Sequence, residues 1–244
     1  MSRIRLDIAL EQRGLSQSRA RARDAILRGT VSVNGVPASK PSQLVGDADA
    51  VTLNDPASQY FSRAALKLVE GLEKSGFDPK GKICLDLGAS TGGFSQVLAE
   101  RGARKIYAVD VGHGQLHGDV AGLSNVVSLE GVNARDLTAQ VIAEPVGFLV
   151  SDVSFVSLIK IIDAPSALCA PGALAILLIK PQFEVGRDHV GKGGIVVPGP
   201  HVDMAVEAVF AHMDGLGWQR AGLWPSPIKG GDGNGEFLAG FRRR

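Results

Sequence analysis

Two charged residues stand where a charge is hard to place by accident. Asp152 ends the apolar run Phe148-Leu-Val-Ser-Asp152, and Lys180 follows seven consecutive apolar residues, Ala173–Ile179. If both runs are strands of an open α/β sheet, both side chains lie at strand C-termini, where such sheets bind ligands. A solvated lysine at a strand exit is the alternative reading of Lys180, and the lesser one after so long an apolar run. Lys67 and Glu236, each taken alone, read as surface charges. A third run, Lys82–Leu87, leads into Asp86-Leu-Gly88-Ala89-Ser90-Thr91-Gly92-Gly93-Phe94. Glycine removes the Cβ that would hold backbone away from a ligand, and the free amides of a helix start favour a carboxylate or phosphate. The G-x-G-x-x-G pattern of dinucleotide sites is absent. The next run ends in Ala108-Val-Asp110, whose carboxylate can accept hydrogen bonds from a ribose diol. Asn133 reads equally well as a contact to a base and as an ordinary loop residue.

The elements that must position these residues follow from periodicity and turn chemistry. Strands are predicted over Lys82–Leu87, Lys105–Asp110, Val126–Leu129, Phe148–Asp152 and Ala173–Ile179, and helices over Phe61–Ser75, Phe94–Arg101, Leu158–Leu168 and His201–Leu216. Trp218–Leu223 and Phe237–Phe241 form a closing pair of strands. Alternating β and α segments with short connections predict a mostly parallel sheet covered on both faces. The first 57 residues follow another pattern. A helix with Leu6, Ala9 and Leu10 on one face stops at Gly14, and a second runs from Gln17 to Leu27 with Ser16 as its cap. Val31–Val36 alternates into Asn34-Gly35, a tight-turn signal, and Ala50–Leu53 is a last short strand. Asn54-Asp-Pro56 predicts a boundary near residue 57.

Composition bounds the class. Apolar residues make up 45% and charged residues 21%, as expected of a globular α/β protein, and 31 glycines suit many strand-to-helix turns. The net charge is only +1, yet residues 1–40 carry eight Arg or Lys against three Asp or Glu, a net of +5. A basic segment on a nearly neutral chain predicts a module that meets a polyanion. Cys84 and Cys169 sit in apolar runs and read as buried thiols. No run has the pattern of a signal peptide or the length of a membrane span, so a cytoplasmic setting is expected. The five histidines, including His113 and His117, show no ligand pattern, and no metal is expected.

From residue 60 onward the sequence resembles the TlyA group of the FtsJ-like RNA ribose methyltransferases. The resemblance is carried in order by Ser62-Arg-Ala-Ala-Leu-Lys67-Leu, Asp86–Phe94, Asp110-Val-Gly-His-Gly-Gln-Leu116, Ser151-Asp152-Val-Ser-Phe155, Lys180-Pro-Gln-Phe-Glu184, Gly191-Lys-Gly-Gly194 and Ser226–Phe237. It departs after His117, where Gly-Asp-Val replaces a Trp and basic residues, and before Asn133, where Gly-Val replaces Arg-Thr. The resemblance implies a Rossmann-like methyltransferase fold with a mostly parallel seven-stranded sheet. It also implies S-adenosylmethionine as cofactor, held by Asp86, Gly88, Ala89, Ser90, Thr91, Gly92, Gly93, Phe94, Asp110, Asn133 and Asp152. A Lys-Asp-Lys-Glu tetrad maps by motif onto Lys67, Asp152, Lys180 and Glu236. A ribose 2′-hydroxyl is a poor nucleophile at neutral pH, so its proton must be removed or polarised. Lys180 is the expected base, Lys67 a second positive charge favouring the alkoxide, and Asp152 and Glu236 the groups that orient them.

Residues 1–54 resemble the small α+β RNA-binding domain named after ribosomal protein S-four. The carriers are Arg5-Leu-Asp7, Ser16-x-Ser18-Arg19-Ala-Arg21, the segment Ile26–Gly35, Lys40-Pro41 and Val51. This implies RNA contacts from Arg5, Arg19, Arg23 and Lys40, with guanidinium groups forking onto phosphates. Few aromatics occur there, so folded RNA read by shape is expected rather than stacked single strands. The expectation is a ribosomal RNA or ribosomal-subunit substrate, with a cytidine implied by the resemblance alone. Rival readings are a tRNA methyltransferase, an RNA-binding protein on an inactive methyltransferase fold, and a haemolysin, as some relatives are labelled. Oligomeric state is not legible.

Overall fold

The computed structural model describes residues 3–244, which separate into two compact units that divide between Gln59 and Tyr60. The smaller unit begins with β1 (Ile4–Arg5), α1 (Leu6–Gln12) and α2 (Arg19–Leu27). Helix α2 starts two residues later than the pattern suggested. Ser18, not Ser16, caps it by accepting the Arg21 amide at 3.3 Å, while the Ser16 hydroxyl donates to the Ser18 carbonyl. Strands β2 (Val31–Val33) and β3 (Val36–Pro37) form a hairpin, with Asn34 at φ 53° and Gly35 at φ 78°. Two consecutive left-handed residues make the turn whose twist matches the strands, and Asn-Gly suits it best. Strand β4 (Leu44–Val45) pairs with β1, and β5 (Val51–Leu53) pairs with β2. Leu6, Leu10, Ala22, Ile26, Val31 and Val45 close the core.

The larger unit alternates as predicted. After α3 (Ala65–Ser75) come β6 (Ile83–Leu87), α4 (Gly93–Glu100), β7 (Lys105–Asp110), α5 (Gly118–Ala121), β8 (Val126–Glu130), β9 (Val146–Ser151), α6 (Asp163–Ala167), β10 (Cys169–Ile179), α7 (Pro181–Glu184), α8 (Pro200–Gly215), β11 (Trp218–Pro225) and β12 (Phe237–Arg243). The seven strands stand in the order β11-β12-β10-β9-β6-β7-β8. The run from β10 to β8 is parallel, and β12 enters antiparallel between β10 and β11. Alternate residues feed opposite faces: Leu85, Leu149, Leu177 and Ile179 pack on one side, Cys84, Phe148, Ile176 and Leu178 on the other. This explains the unbroken apolar runs, since a strand covered on both faces has no polar side.

Two predicted helices are shorter than expected. Helix α3 begins at Ala65 rather than Phe61, because Ser62 folds back to accept the Ala64 amide at 3.2 Å. The helix expected over Leu158–Leu168 is a 3-10 turn, Leu158–Lys160, followed by the single-turn α6. A continuous helix would put Pro165 in its interior, where the ring clashes with the preceding turn; the break moves Pro165 into a first turn, where it is tolerated. Among the described residues, no helix is long and apolar enough to cross a membrane.

Candidate active site

The ends of β9 and β10 bring Asp152 and Lys180 together, and α3 and the segment before β12 add Lys67 and Glu236. Lys180 Nζ lies 2.7 Å from Asp152 Oδ1, and Lys67 Nζ lies 3.4 Å from Asp152 Oδ2 and 2.7 Å from Glu236 Oε2. The four charges therefore alternate along a line, Glu236–Lys67–Asp152–Lys180. Both lysine side chains are 8% exposed. Neither 2.7 Å ion pair has hydrogen-bond directionality, and Asp152 Oδ1 and Glu236 Oε2 accept no hydrogen bond among the described residues. Lys180 instead donates to the Ser154 hydroxyl at 2.7 Å and, at 3.4 Å, to the Asp152 carbonyl.

The glycine turn lies against this cluster. A cavity of about 350 Å³ is lined by Lys67, Asp152, Lys180 and Glu236 together with Gly88, Ala89, Ser90, Thr91, Gly93 and Phe94. Two of the expected cofactor contacts line neither this cavity nor its neighbour. Asp86 is wholly buried, and its carboxylate accepts the Ser95 hydroxyl at 2.7 Å and the Ser95 amide. It caps the first turn of α4 from below, and burial pushes its carboxyl up to about 7. Gly92 sits at φ 91°, where an added Cβ would lie 2.7 Å from Leu116 and 3.0 Å from Val120. Its missing side chain makes room for protein rather than ligand. The same holds on one side of Gly93, where a Cβ would meet Ser62 at 2.8 Å.

A second cavity, of about 530 Å³, adjoins the first and shares Gly88, Ser90, Asp152, Ser154 and Phe155 with it. Asp110 and Asn133 line it. Asp110 is held firmly, its two oxygens accepting the Ser90 and Gly112 amides at 2.8 Å each. Each carboxylate oxygen keeps a second lone pair for a diol. The Asn133 side-chain oxygen accepts from the Arg135 amide at 3.1 Å, and its NH₂ has no hydrogen-bond partner among the described residues. The divergent loop after Asp110 is well tied: Glu130 accepts the Gln115 and Leu116 amides, and His117 stacks on Phe61 with centroids 3.9 Å apart. A turn with free helix-start amides, an acidic diol acceptor and adjoining space fit S-adenosylmethionine.

Several residues in or beside the cavity walls were not singled out from the sequence. Phe155 is 89% exposed, holds a left-handed backbone at φ 66°, and has its ring 5.5 Å from that of Phe183. Gln182 lines the smaller cavity with a buried Oε1 that has no hydrogen-bond partner among the described residues. Glu184 fastens the loop that carries Ser154 and Phe155, accepting the Ser157 hydroxyl at 2.6 Å and the Leu158 amide at 2.8 Å, and burial raises its carboxyl above the usual range. Asn234 is buried and joins two loops, bonding Val196 and Gly194. These four follow Asp152 or Lys180 by two to four residues or sit in a glycine-rich segment, so proximity to those motifs was the available signal.

In the smaller unit the four expected RNA contacts divide. Arg5 donates twice to Asp7, at 3.0 and 2.9 Å, and Arg19 once, at 3.0 Å. Asp7 is buried, and the Arg5 hydrogen bonds hold its carboxyl down at about 2, with Arg19 adding to the effect. Arg5 and Arg19 thus build the fold as well as presenting charge, whereas Arg23 and Lys40 are exposed.

Comparison with known proteins accords with this geometry. Residues 60–243 match the FtsJ-like methyltransferase family, and residues 4–51 match the S4 domain. The chain is 42% identical over 241 residues to the 16S/23S rRNA (cytidine-2′-O)-methyltransferase TlyA of Mycobacterium tuberculosis, covering 98% of this chain and 90% of the relative. It is 39% identical to Hemolysin A of Brachyspira hyodysenteriae, over 98% and 99% of the two chains. A solved hemolysin-type structure from Streptococcus thermophilus superposes with a TM-score of 0.77 at 35% identity, covering all of this chain and 89% of the other.

Proposed function

The chain belongs to the FtsJ-like methyltransferase family, in its TlyA group, and from that premise we propose that it methylates a ribose 2′-hydroxyl of ribosomal RNA, on a cytidine. The enzyme is S-adenosylmethionine-dependent. We assign residues 1–57 as the RNA-docking domain and residues 58–244 as the methyltransferase domain. The observation that carries the proposal is the alternating line of four charges on the wall of a cavity that continues past the cofactor turn.

Gly88–Thr91, Gly93, Phe94, Asp110 and Asn133 would hold S-adenosylmethionine, with Asp86 and Gly92 supporting the turn rather than touching the ligand. When bound, it supplies an electrophilic methyl group on a positively charged sulfur. The protein's share is to bring a 2′-oxygen to that methyl with its proton removed. With both lysines protonated the tetrad is neutral; with Lys180 neutral it carries one net negative charge, opposite to that of the sulfonium. Lys180 then takes the hydroxyl proton, and Lys67 stabilises the oxygen as it gains negative charge. Asp152 and Glu236 keep Lys67 in place, because a buried ammonium needs paired carboxylates. Phe155 gives the nucleotide's base an apolar face at the mouth of both cavities.

The test is to incubate the protein with labelled S-adenosylmethionine and separately purified small and large ribosomal subunits, then map the modified nucleotide. Label on a cytidine 2′-oxygen is expected. Label found only on bases, on protein or on tRNA would overturn the reading.

A further inference from the structure

We propose that Ser154 is a catalytic residue, a hydroxyl relay that carries the substrate proton to Lys180. The inference deepens the reading above and rests on Lys180 as the terminal base. Three oxygens surround Lys180 Nζ: Asp152 Oδ1 and Ser154 Oγ at 2.7 Å each, and the Asp152 carbonyl at 3.4 Å. A base must be neutral when it acts and must present its lone pair to a donor. A carboxylate and a carbonyl can only accept, whereas a hydroxyl can do both. Ser154 is therefore the one oxygen of the three that can return a hydrogen to Nζ.

Position supports the same assignment. The Lys180 side chain is 8% exposed, whereas Ser154 is exposed and lines both cavities. Lys180 lines the smaller cavity alone, so of the two groups only Ser154 reaches the space where the cavities meet. The Ser154 loop is fixed from below, since Glu184 binds Ser157 and Leu158 three and four residues on. The relay is thus preset rather than recruited.

The step balances as follows. The ribose O–H bond breaks and its proton forms a new bond to Ser154 Oγ. The original Ser154 proton moves to the lone pair of neutral Lys180, which becomes an ammonium. The pair left on the 2′-oxygen forms the bond to the methyl carbon, and the pair of the broken methyl–sulfur bond stays on sulfur. Ser154 ends unchanged.

Single-turnover methylation, cofactor affinity by calorimetry and a solvent-isotope proton inventory test the relay. Ser154→Ala is expected to slow methyl transfer by about 10- to 100-fold, with cofactor and RNA affinities within about twofold. Ser154→Thr keeps a hydroxyl and should return the rate to within about fivefold of the parent. The parent inventory should be curved, as two protons move together, and that of Ser154→Ala linear. An undiminished rate in Ser154→Ala, or a linear parent inventory, overturns the relay. Lys180→Met separates the two ideas. If it loses the rate while Ser154→Ala keeps it, the relay alone falls. If it keeps the rate, the assignment of the base falls and the relay with it.

Discussion

Replacing Lys67 by methionine removes one charge from the middle of the tetrad at nearly constant volume. Lys67 is the cation between Glu236, at 2.7 Å, and Asp152, at 3.4 Å, and all three side chains are nearly buried. Removing one member of a buried ion pair costs about 3–5 kcal/mol, because the partner charge is left uncompensated. Asp152 keeps Lys180, so the lower figure of about 3 kcal/mol applies. In a domain of this size each kcal/mol moves the melting temperature by about 2–4 °C, which gives a fall of about 6–12 °C. Adding Glu236→Gln removes the stranded charge and should recover about 1–3 kcal/mol. The double variant is then more stable than the single one, although two residues have been lost. Activity should not follow stability: both variants should lose about 10²- to 10⁴-fold in single-turnover rate, since neither restores the positive charge at the oxygen. Calorimetry on the full chain, following the transition of the larger unit, reads the first quantity. A Lys67→Met protein that melts within about 2 °C of the parent, or a double variant less stable than the single, would refute the reasoning.

Three further outcomes are expected. Phe155→Gly relieves a left-handed backbone worth about 1 kcal/mol, so the protein should melt no lower than the parent while its KM for RNA rises; an unchanged KM would remove Phe155 from the substrate site. Asp7 has a folded pKa of about 2, below its ordinary 3.8, so its stabilisation is complete above about pH 4 and is lost as pH falls toward 2. Allowing for the exposed arginines, this is worth about 1–2 kcal/mol. Denaturant unfolding at pH 5 and pH 2.5 should show that difference in the smaller unit, and Asp7→Asn should abolish it. Arg23→Ala and Lys40→Ala should each weaken RNA binding and lower the salt slope by about one without shifting the melt, whereas Arg19→Ala should also destabilise; filter binding at several salt concentrations decides it.

The sheet and its ligand-bearing edge were legible because apolar runs ending in Asp152, Lys180 and Asp110 have few other uses. What was not legible depends on which way a side chain turns. Asp86 belongs to the cofactor motif, yet strand alternation aims it under the turn toward Ser95. Gly92 looks like a ligand contact in sequence, and only the packing of Leu116 and Val120 shows what its missing Cβ admits. Ser154, Phe155 and Glu184 lie in or beside loops without periodicity, so their partners emerge only when β9, α7 and the 3-10 turn are brought together. Arg5 and Arg19 read as free charge because nothing local announces that Asp7 would be buried beneath them.

Strand β12 has a consequence for the making of the protein. It slots between β10 and β11, with Glu236 immediately before it, yet it comes last among the described strands. During vectorial synthesis β10, nearly all apolar from Ala173 to Ile179, must wait with an unpaired edge until residues 237–243 emerge. Such an edge invites pairing with other chains. A nascent chain stalled before residue 236 would therefore lack the tetrad's last member and be prone to aggregate. The step that completes the tetrad is the same one that seals the sheet.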